Sequence, residues 1–271
     1  MSHCRWSTIS MLRFKIILLF CFLSICAFSQ DKVYDWDWEK EKFVVGAGVA
    51  INGGLLIVKS KLPRLTEEQV SSLQIEDLNF LDKTATDNIN DKGEVFSDAI
   101  AYGSILIPFT HYFSHHGKEE DFAVLGMAAE VFLVNSFIID AMKIGIRRSR
   151  PFTYNENLPI EERIKKSARF SFPSGHTSNA AAFSFFSAKV FSDLHPESKW
   201  KSVLWGTAII LPATTGYLRY QSGNHFPTDV MMGYIIGASV GYLIPFVHKM
   251  KIEEGLSITP LGNGVSLTLS F

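Results

Sequence analysis

Uncharged apolar runs of helical length set what this chain can fold into. Phe43–Val58, Val203–Leu218 and Val230–Val247 each extend 16 to 18 residues without a charged side chain. Further helical stretches are expected at about 96–114, 121–148, 174–193, 200–217 and 228–248, because strand-type alternation is nearly absent and Gly or Pro separates several of them. Gly46, Gly48, Gly53 and Gly54 in the first run fit close helix packing better than a nucleotide loop, since no strand precedes them. Only the last twenty residues change character. There Ser257-Ile258-Thr259 and Val265–Leu269 flank Gly262-Asn263-Gly264, a hairpin signal. The expected fold is therefore all-α, a bundle of about six helices with a short C-terminal β-hairpin. Its expected segments are a signal peptide over 1–29, an N-terminal helix and polar linker over 30–95, a helical core over 96–250 and a hairpin tail over 251–271. The polar linker, rich in Asp and Glu, is expected to hold one short amphipathic helix around Glu67–Phe80.

At 271 residues and 47% hydrophobic, the chain supports one substantial core. A formal charge of −1 argues against a nucleic-acid partner, which selects a basic excess. All three cysteines, Cys4, Cys21 and Cys26, lie in the N-terminal segment. Arg5, Arg13 and Lys15 precede the apolar run Ile16–Phe28, and Ala27-Phe28-Ser29 is a small-x-small cleavage site. That pattern reads as a secretory signal, with an uncleaved anchor as the alternative. Ile25 is too bulky for the position before a lipidated Cys26. Cleavage after Ser29 leaves a chain without disulfides, thiolate metal sites or cysteine nucleophiles.

Three short segments at the edges of apolar runs carry the chemistry. Lys143 and Arg150 are seven residues apart, close to two helical turns, so a continuous helix would project both from one face until Pro151 ends it. Alone, Arg147-Arg148-Ser149-Arg150 also fits a plain basic flank of a membrane helix. Pro173-Ser174-Gly175-His176 precedes the run Ala180–Phe186. Ser174 suits an N-cap and Gly175 a close backbone approach, so the segment is either an anion site at a helix start or an ordinary cap. In Arg219…His225…Asp229, Pro227 starts a helix and puts Asp229 in its first turn, within reach of His225. A carboxylate bonded to one ring nitrogen would fix the tautomer and free the other nitrogen as nucleophile or base, or the pair could be structural. His176, His225 and Asp229 could also ligate zinc, but Lys143, Arg150 and Arg219 would repel a divalent cation and welcome a phosphate dianion. No metal and no cofactor is expected.

Taken together, these segments resemble the type-2 phosphatidic acid phosphatase family, which includes the vanadium haloperoxidases. Its signature, Lys-x6-Arg-Pro, Pro-Ser-Gly-His and Ser-Arg-x5-His-x3-Asp, is matched over about residues 96–250, except that Leu218 stands where the family usually has Ser. The resemblance implies that His225 attacks phosphorus to form a phosphohistidine, with Asp229 orienting it. It implies that Lys143, Arg150, Arg219 and the Ser174–Gly175 segment hold the phosphoryl oxygens. His176 would protonate the leaving alkoxide and then activate water. The implied substrate is a lipid phosphate or pyrophosphate at a membrane surface; a soluble acid phosphatase, a vanadate-dependent haloperoxidase and a catalytically silent membrane packing protein are the other readings.

Five residues outside the signature are ambiguous. His111, His115 and His116 fit a helix end at an interface better than a metal site. Glu130, inside the apolar stretch Phe122–Ile139, is functional if that stretch is in a membrane and a solvated face otherwise. Asp140, three residues before Lys143, is expected to pair with it. The expected location is a bacterial-type cell envelope, membrane-associated, with the site facing the periplasm. That placement requires an even number of crossings between residue 30 and Lys143.

Overall fold

The computed structural model of the protein describes residues 32–114, 118–253, 256–261 and 264–269. The expected signal segment, His115 and His116 lie outside the described residues. Among the described residues six long helices form the bundle: α1 (Trp38–Lys61), α2 (Asp91–Ser104), α3 (Lys118–Ile146), α4 (Gly175–Leu194), α5 (Lys201–Gln221) and α6 (Pro227–Glu253). Two strands, Leu256–Leu261 and Gly264–Leu269, pair antiparallel after α6.

Local chemistry accounts for the helix ends. Asp37 caps α1 by accepting from the Glu39 amide; Glu39 and Glu41 lie in its first turn and Lys59 and Lys61 in its last, as the helix dipole favours. Asn90 caps α2 through the Gly93 amide. The helix expected over 96–114 is instead α2 followed by 3-10 turns over Ile107–Ser114. Pro108 has no N–H to give the Ser104 carbonyl, so the α pattern cannot continue through it. In the polar linker the short helix covers only Glu67–Ser71, closed by a Thr66–Gln69 capping box.

α4 is the central helix, buried along most of its length. Its closest neighbour is α6, which presents Gly233, Gly237 and Gly241 four residues apart. A Cβ at these positions would collide with the carbonyl oxygens of Ser174, Ser178 and Ala182 respectively. The absent side chains let the two backbones touch, the small-residue packing common between apolar helices. The main core lies toward the far end of α4, where Phe183, Phe186 and Val190 pack with Val124, Met127 and Val131 of α3 and with Tyr34. The near end of α4 is left to polar groups.

α1 packs against α3 in a parallel sense. Gly48 and Asn52 meet Leu133, and Lys59 pairs with Asp140 at 2.5 Å. Asp140 thus pairs with α1 and not, as expected, with Lys143, its neighbour on the same helix. Of the four glycines in the first run only Gly48 is in contact; Gly46, Gly53 and Gly54 face open space. Phe43, Val44, Val49, Leu56 and Ile57 on α1 and Met231, Ile235 and Leu243 on α6 are exposed. The stretches Trp38–Lys61, Glu119–Tyr154 and Pro227–Lys249 are long and apolar enough to cross a membrane. An apolar exterior over helices of this length makes the protein membrane-associated.

Candidate active site

All the signature residues collect at one end of the bundle, where α3 and α5 finish and α4 and α6 begin. α3 stops at Ile146, because Arg147 turns left-handed (φ 51°). The following segment is then held extended, with Ser171 N donating to Arg148 O and Arg150 N to Ala168 O. Lys143 and Arg150 therefore do not share a helix face as the spacing predicts. Only Lys143 is helical, and Arg150 reaches the same site from the extended segment.

Lys143 is buried, and a Cβ added to Gly175 would stand 3.3 Å from its Nζ. Ser174 occupies the N-cap of α4, yet its hydroxyl pairs with Thr177 Oγ1 at 2.9 Å and caps no backbone amide. The first amides of α4 have no intrahelical acceptor and, with the helix dipole behind them, suit an anion. Beneath them Asn135 of α3 locks α4 in place by bonds to Asn179 Oδ1 at 2.8 Å and from Ser178 Oγ at 2.6 Å. Arg150 donates to Asn224 Oδ1 at 2.5 Å. Arg219 is nearly inaccessible, and Glu94 and Asp98 of α2 supply its carboxylate partners.

His225 is fully buried. Its Nδ1 lies 2.7 Å from the Ser171 carbonyl, an acceptor only, so Nδ1 carries the proton. Nε2 is left with a lone pair and no hydrogen-bond partner among the described residues. Asp229 does not bond the ring as the sequence suggests: the distance from Nδ1 to Oδ2 is 3.8 Å. Its oxygens are taken by Ser171 Oγ at 2.5 Å, Phe226 N at 2.9 Å and Arg148 Nη1 at 2.6 Å. The carboxylate thus fixes Ser171, and Ser171 fixes the imidazole.

Two charged residues of this support escaped sequence reasoning. Arg148 bridges Asp229 and Asp82, at 2.6 Å each, and lies over the Phe226 ring. Asp82, fully buried, also accepts from Thr228 N and Oγ1. Arg148 looked like part of a basic flank and Asp82 like linker polarity. Nothing in their local pattern marks them.

Electrostatics tie the set together. Burial, followed by the charges of Lys143 and Arg150, pushes His176 down to about 3. Burial first, with Arg150 and Lys143 after it and against the opposing Asp229, pushes His225 down to about 3. Both imidazoles are therefore neutral at pH 7. Arg150 Nε and Arg219 Nε are buried donors with no hydrogen-bond partner among the described residues. Buried donors normally find an acceptor, so these two are suited to an oxyanion.

Asn52, Leu56, Tyr102, Ile105, Phe132, Ile139, Lys143, Gly175 and His176 line a cleft of about 340 Å³ between α1, α2, α3 and α4. Its walls are largely apolar, and Lys143, Gly175 and His176 of the signature are among its lining residues.

Buried cations, a helix start and two neutral imidazoles at one end of an all-α bundle suit the binding of a phosphoryl group. Comparison with known proteins makes the class specific: the family model of the PAP2 superfamily matches residues 122–253. Lipid A 4'-phosphatase of Bacteroides thetaiotaomicron is 25% identical over 175 residues, covering 62% of this chain and 72% of that protein. Phosphatidylglycerophosphatase B of Bacillus subtilis is 36% identical over 126 residues, covering 45% of this chain and 57% of that protein. A crystal structure of a transmembrane PAP2-type phosphatidylglycerolphosphate phosphatase from Bacillus subtilis aligns with 24% identity and a TM-score of 0.47, over 74% of this chain and 94% of that one. Residues 122–253 thus match the PAP2 superfamily, and the chain is a phosphoric monoester hydrolase.

Proposed function

We propose that the protein hydrolyses a phosphomonoester or pyrophosphate of a lipid at a membrane surface, through a phosphohistidine on His225. One observation carries the mechanism: His225 Nε2 is buried, unprotonated and without a hydrogen-bond partner among the described residues, while Nδ1–H is tied to the Ser171 carbonyl. The Nε2 lone pair attacks phosphorus as the bond to the lipid oxygen breaks. His176, neutral in the free protein, relays to that oxygen the proton that the substrate brings as the phosphomonoester monoanion. Water then attacks phosphorus as the phosphorus–nitrogen bond breaks; His176 takes the water proton and passes it to the departing phosphate, which restores both rings. Lys143, Arg150, Arg219 and the Ser174–Gly175 amides neutralise the phosphoryl oxygens, which is most of what phosphoryl transfer asks of a protein. Arg148, Asp82, Asp229 and Ser171 act by holding His225.

The apolar cleft walls support a lipid over a soluble ester, because acyl chains can lie against Leu56, Ile105 and Phe132 while the head group meets Lys143 and His176. The similarity to lipid A and phosphatidylglycerol phosphate phosphatases supports the same substrate class. Purified protein should release phosphate from at least one of phosphatidate, phosphatidylglycerol phosphate, undecaprenyl pyrophosphate and lipid A. EDTA should leave that activity intact and vanadate should inhibit it. Activity lost to chelator and restored by zinc or magnesium would overturn the metal-independent route; bromide oxidation by vanadate-loaded protein would favour a haloperoxidase.

An exported protein with its site facing the periplasm remains part of the proposal, with one condition. Because α1 and α3 run parallel, they cross a membrane in the same sense, with α2 and its 3-10 extension returning between them. In a spanning bundle Val33 and Lys143 then lie on opposite faces. A leader released at Ser29 and an outward site are compatible only if the bundle does not cross fully. Single cysteines at Val33 and Glu156 test this by their reactivity toward an impermeant thiol reagent in intact cells: labelling of Glu156→Cys alone fits a spanning bundle with an outward site, and labelling of both fits a bundle held on the outer face.

A further inference from the structure

Asp98 of α2 sits among the cations of the site without belonging to the signature. Its Oδ1 lies 3.1 Å from His176 Nε2, and the same oxygen forms an ion pair with Arg219 Nη2. Glu94, one turn earlier, stands 3.6 Å from Arg219 Nη1. A single carboxylate oxygen therefore bridges the imidazole and the guanidinium that the proposed mechanism assigns to the leaving-group and phosphoryl oxygens. The two sides of this bridge differ in freedom. The Arg219 side chain is 2% exposed, whereas that of Asp98 is 42% exposed. An arriving anion would displace the carboxylate, which can turn to water, and not the arginine, which cannot.

We propose that Asp98 is a positioning residue that stands in for a phosphoryl oxygen: it holds Arg219 and His176 in working geometry before substrate binds and leaves them when the phosphoryl group arrives. The inference rests on the phosphatase reading of the site. It has a cost and a use. Each binding event must break an existing ion pair and bring an anion beside a carboxylate, so affinity falls for substrate and for released inorganic phosphate alike. Weaker product binding favours phosphate release and keeps the buried guanidinium paired between turnovers.

The test uses the full chain in detergent, comparing wild type with Asp98→Asn, which keeps the side-chain shape but removes the charge, and with Asp98→Ala. Calorimetric titration with inorganic phosphate and with orthovanadate reads binding without turnover. Both variants should bind each anion roughly five- to tenfold tighter, the effect of about one favourable charge interaction. On phosphatidate, or the best substrate of the panel, KM should fall with no rise in kcat. Folded variants that bind phosphate and vanadate no better than wild type overturn the proposal, as does a KM that rises while kcat falls, the mark of a merely structural partner of Arg219. If wild type and variants alike bind neither anion and hydrolyse nothing, the phosphatase reading itself fails and takes the proposal with it.

Discussion

Two buried histidines at opposite ends of the bundle are bonded alike on one side of the ring and differently on the other. His225 Nδ1 lies 2.7 Å from the Ser171 carbonyl, and His248 Nδ1 lies 2.8 Å from the Asp35 carbonyl. His248 Nε2 is taken by Glu130 Oε2 at 2.9 Å, and Glu130 accepts also from Trp36 Nε1 at 2.6 Å. His225 Nε2 has no such partner among the described residues. A satisfied ring fastens α6 to α3 and to the entering segment around Trp36; a ring with one nitrogen held and one available can do chemistry. Burial is equal in kind, so burial does not separate the roles. The second nitrogen does.

The largest effect should come from exchanging the two rings for alanine. His225→Ala should lower kcat on the order of 10³-fold or more, because the proposed covalent route runs through its Nε2. His248→Ala should leave kcat near wild type. Equal loss in both variants, measured as phosphate release per folded protein, would erase the distinction.

Next in size is Arg219→Lys. An ammonium keeps the charge but not the planar pair of donors, so kcat should drop about ten- to a hundredfold, with KM changed less. Unchanged kcat/KM in both Arg219→Lys and Arg219→Ala would remove Arg219 from the site.

A pH profile sharpens the assignment of His176. With its folded value lowered to about 3, the ring is neutral in the free protein at pH 7. The proton it delivers must then arrive with the substrate as the phosphomonoester monoanion, whose second ionisation lies near about 6. Accordingly kcat/KM should decline up to roughly tenfold per pH unit above that value. A flat profile to pH 8 would mean that the leaving oxygen needs no proton from this route.

The smallest effect is on stability. His248→Ala removes a donor from Glu130 and from the Asp35 carbonyl, which should cost about 1–3 kcal/mol in thermal or denaturant unfolding. No loss would show that this end of the bundle does not depend on the ring.

Much of the site was legible because its residues stand at fixed spacing beside helix boundaries. Lys143, Arg150, Ser174, Gly175, His176, Arg219, His225 and Asp229 all reach one end of the bundle. The long helices were legible from their uncharged runs, but the break after α2 was not read, although Pro108 lacks the N–H that a continuous helix needs. The supporting residues were not. Arg148, Asp82 and Ser171 act on the site through partners 54 to 146 positions away in the chain. Asp98 meets Arg219 and His176 only once α2 has packed against α4 and α5. Local periodicity reports which face is apolar, not which polar group on another segment will meet it. The assumed His225–Asp229 bond failed for the same reason: four residues brought the groups near, but Ser171 came between them from a loop that the spacing does not describe.

The central claim is that His225 Nε2 forms a bond to phosphorus. Rapid-quench single turnover with radiolabelled lipid phosphate tests it directly. The account predicts acid-labile, base-stable label on the wild-type protein that maps to His225, forms and decays within one turnover, and is absent from His225→Ala. Turnover with no labelled protein at any time, or label on a residue other than His225, would contradict it.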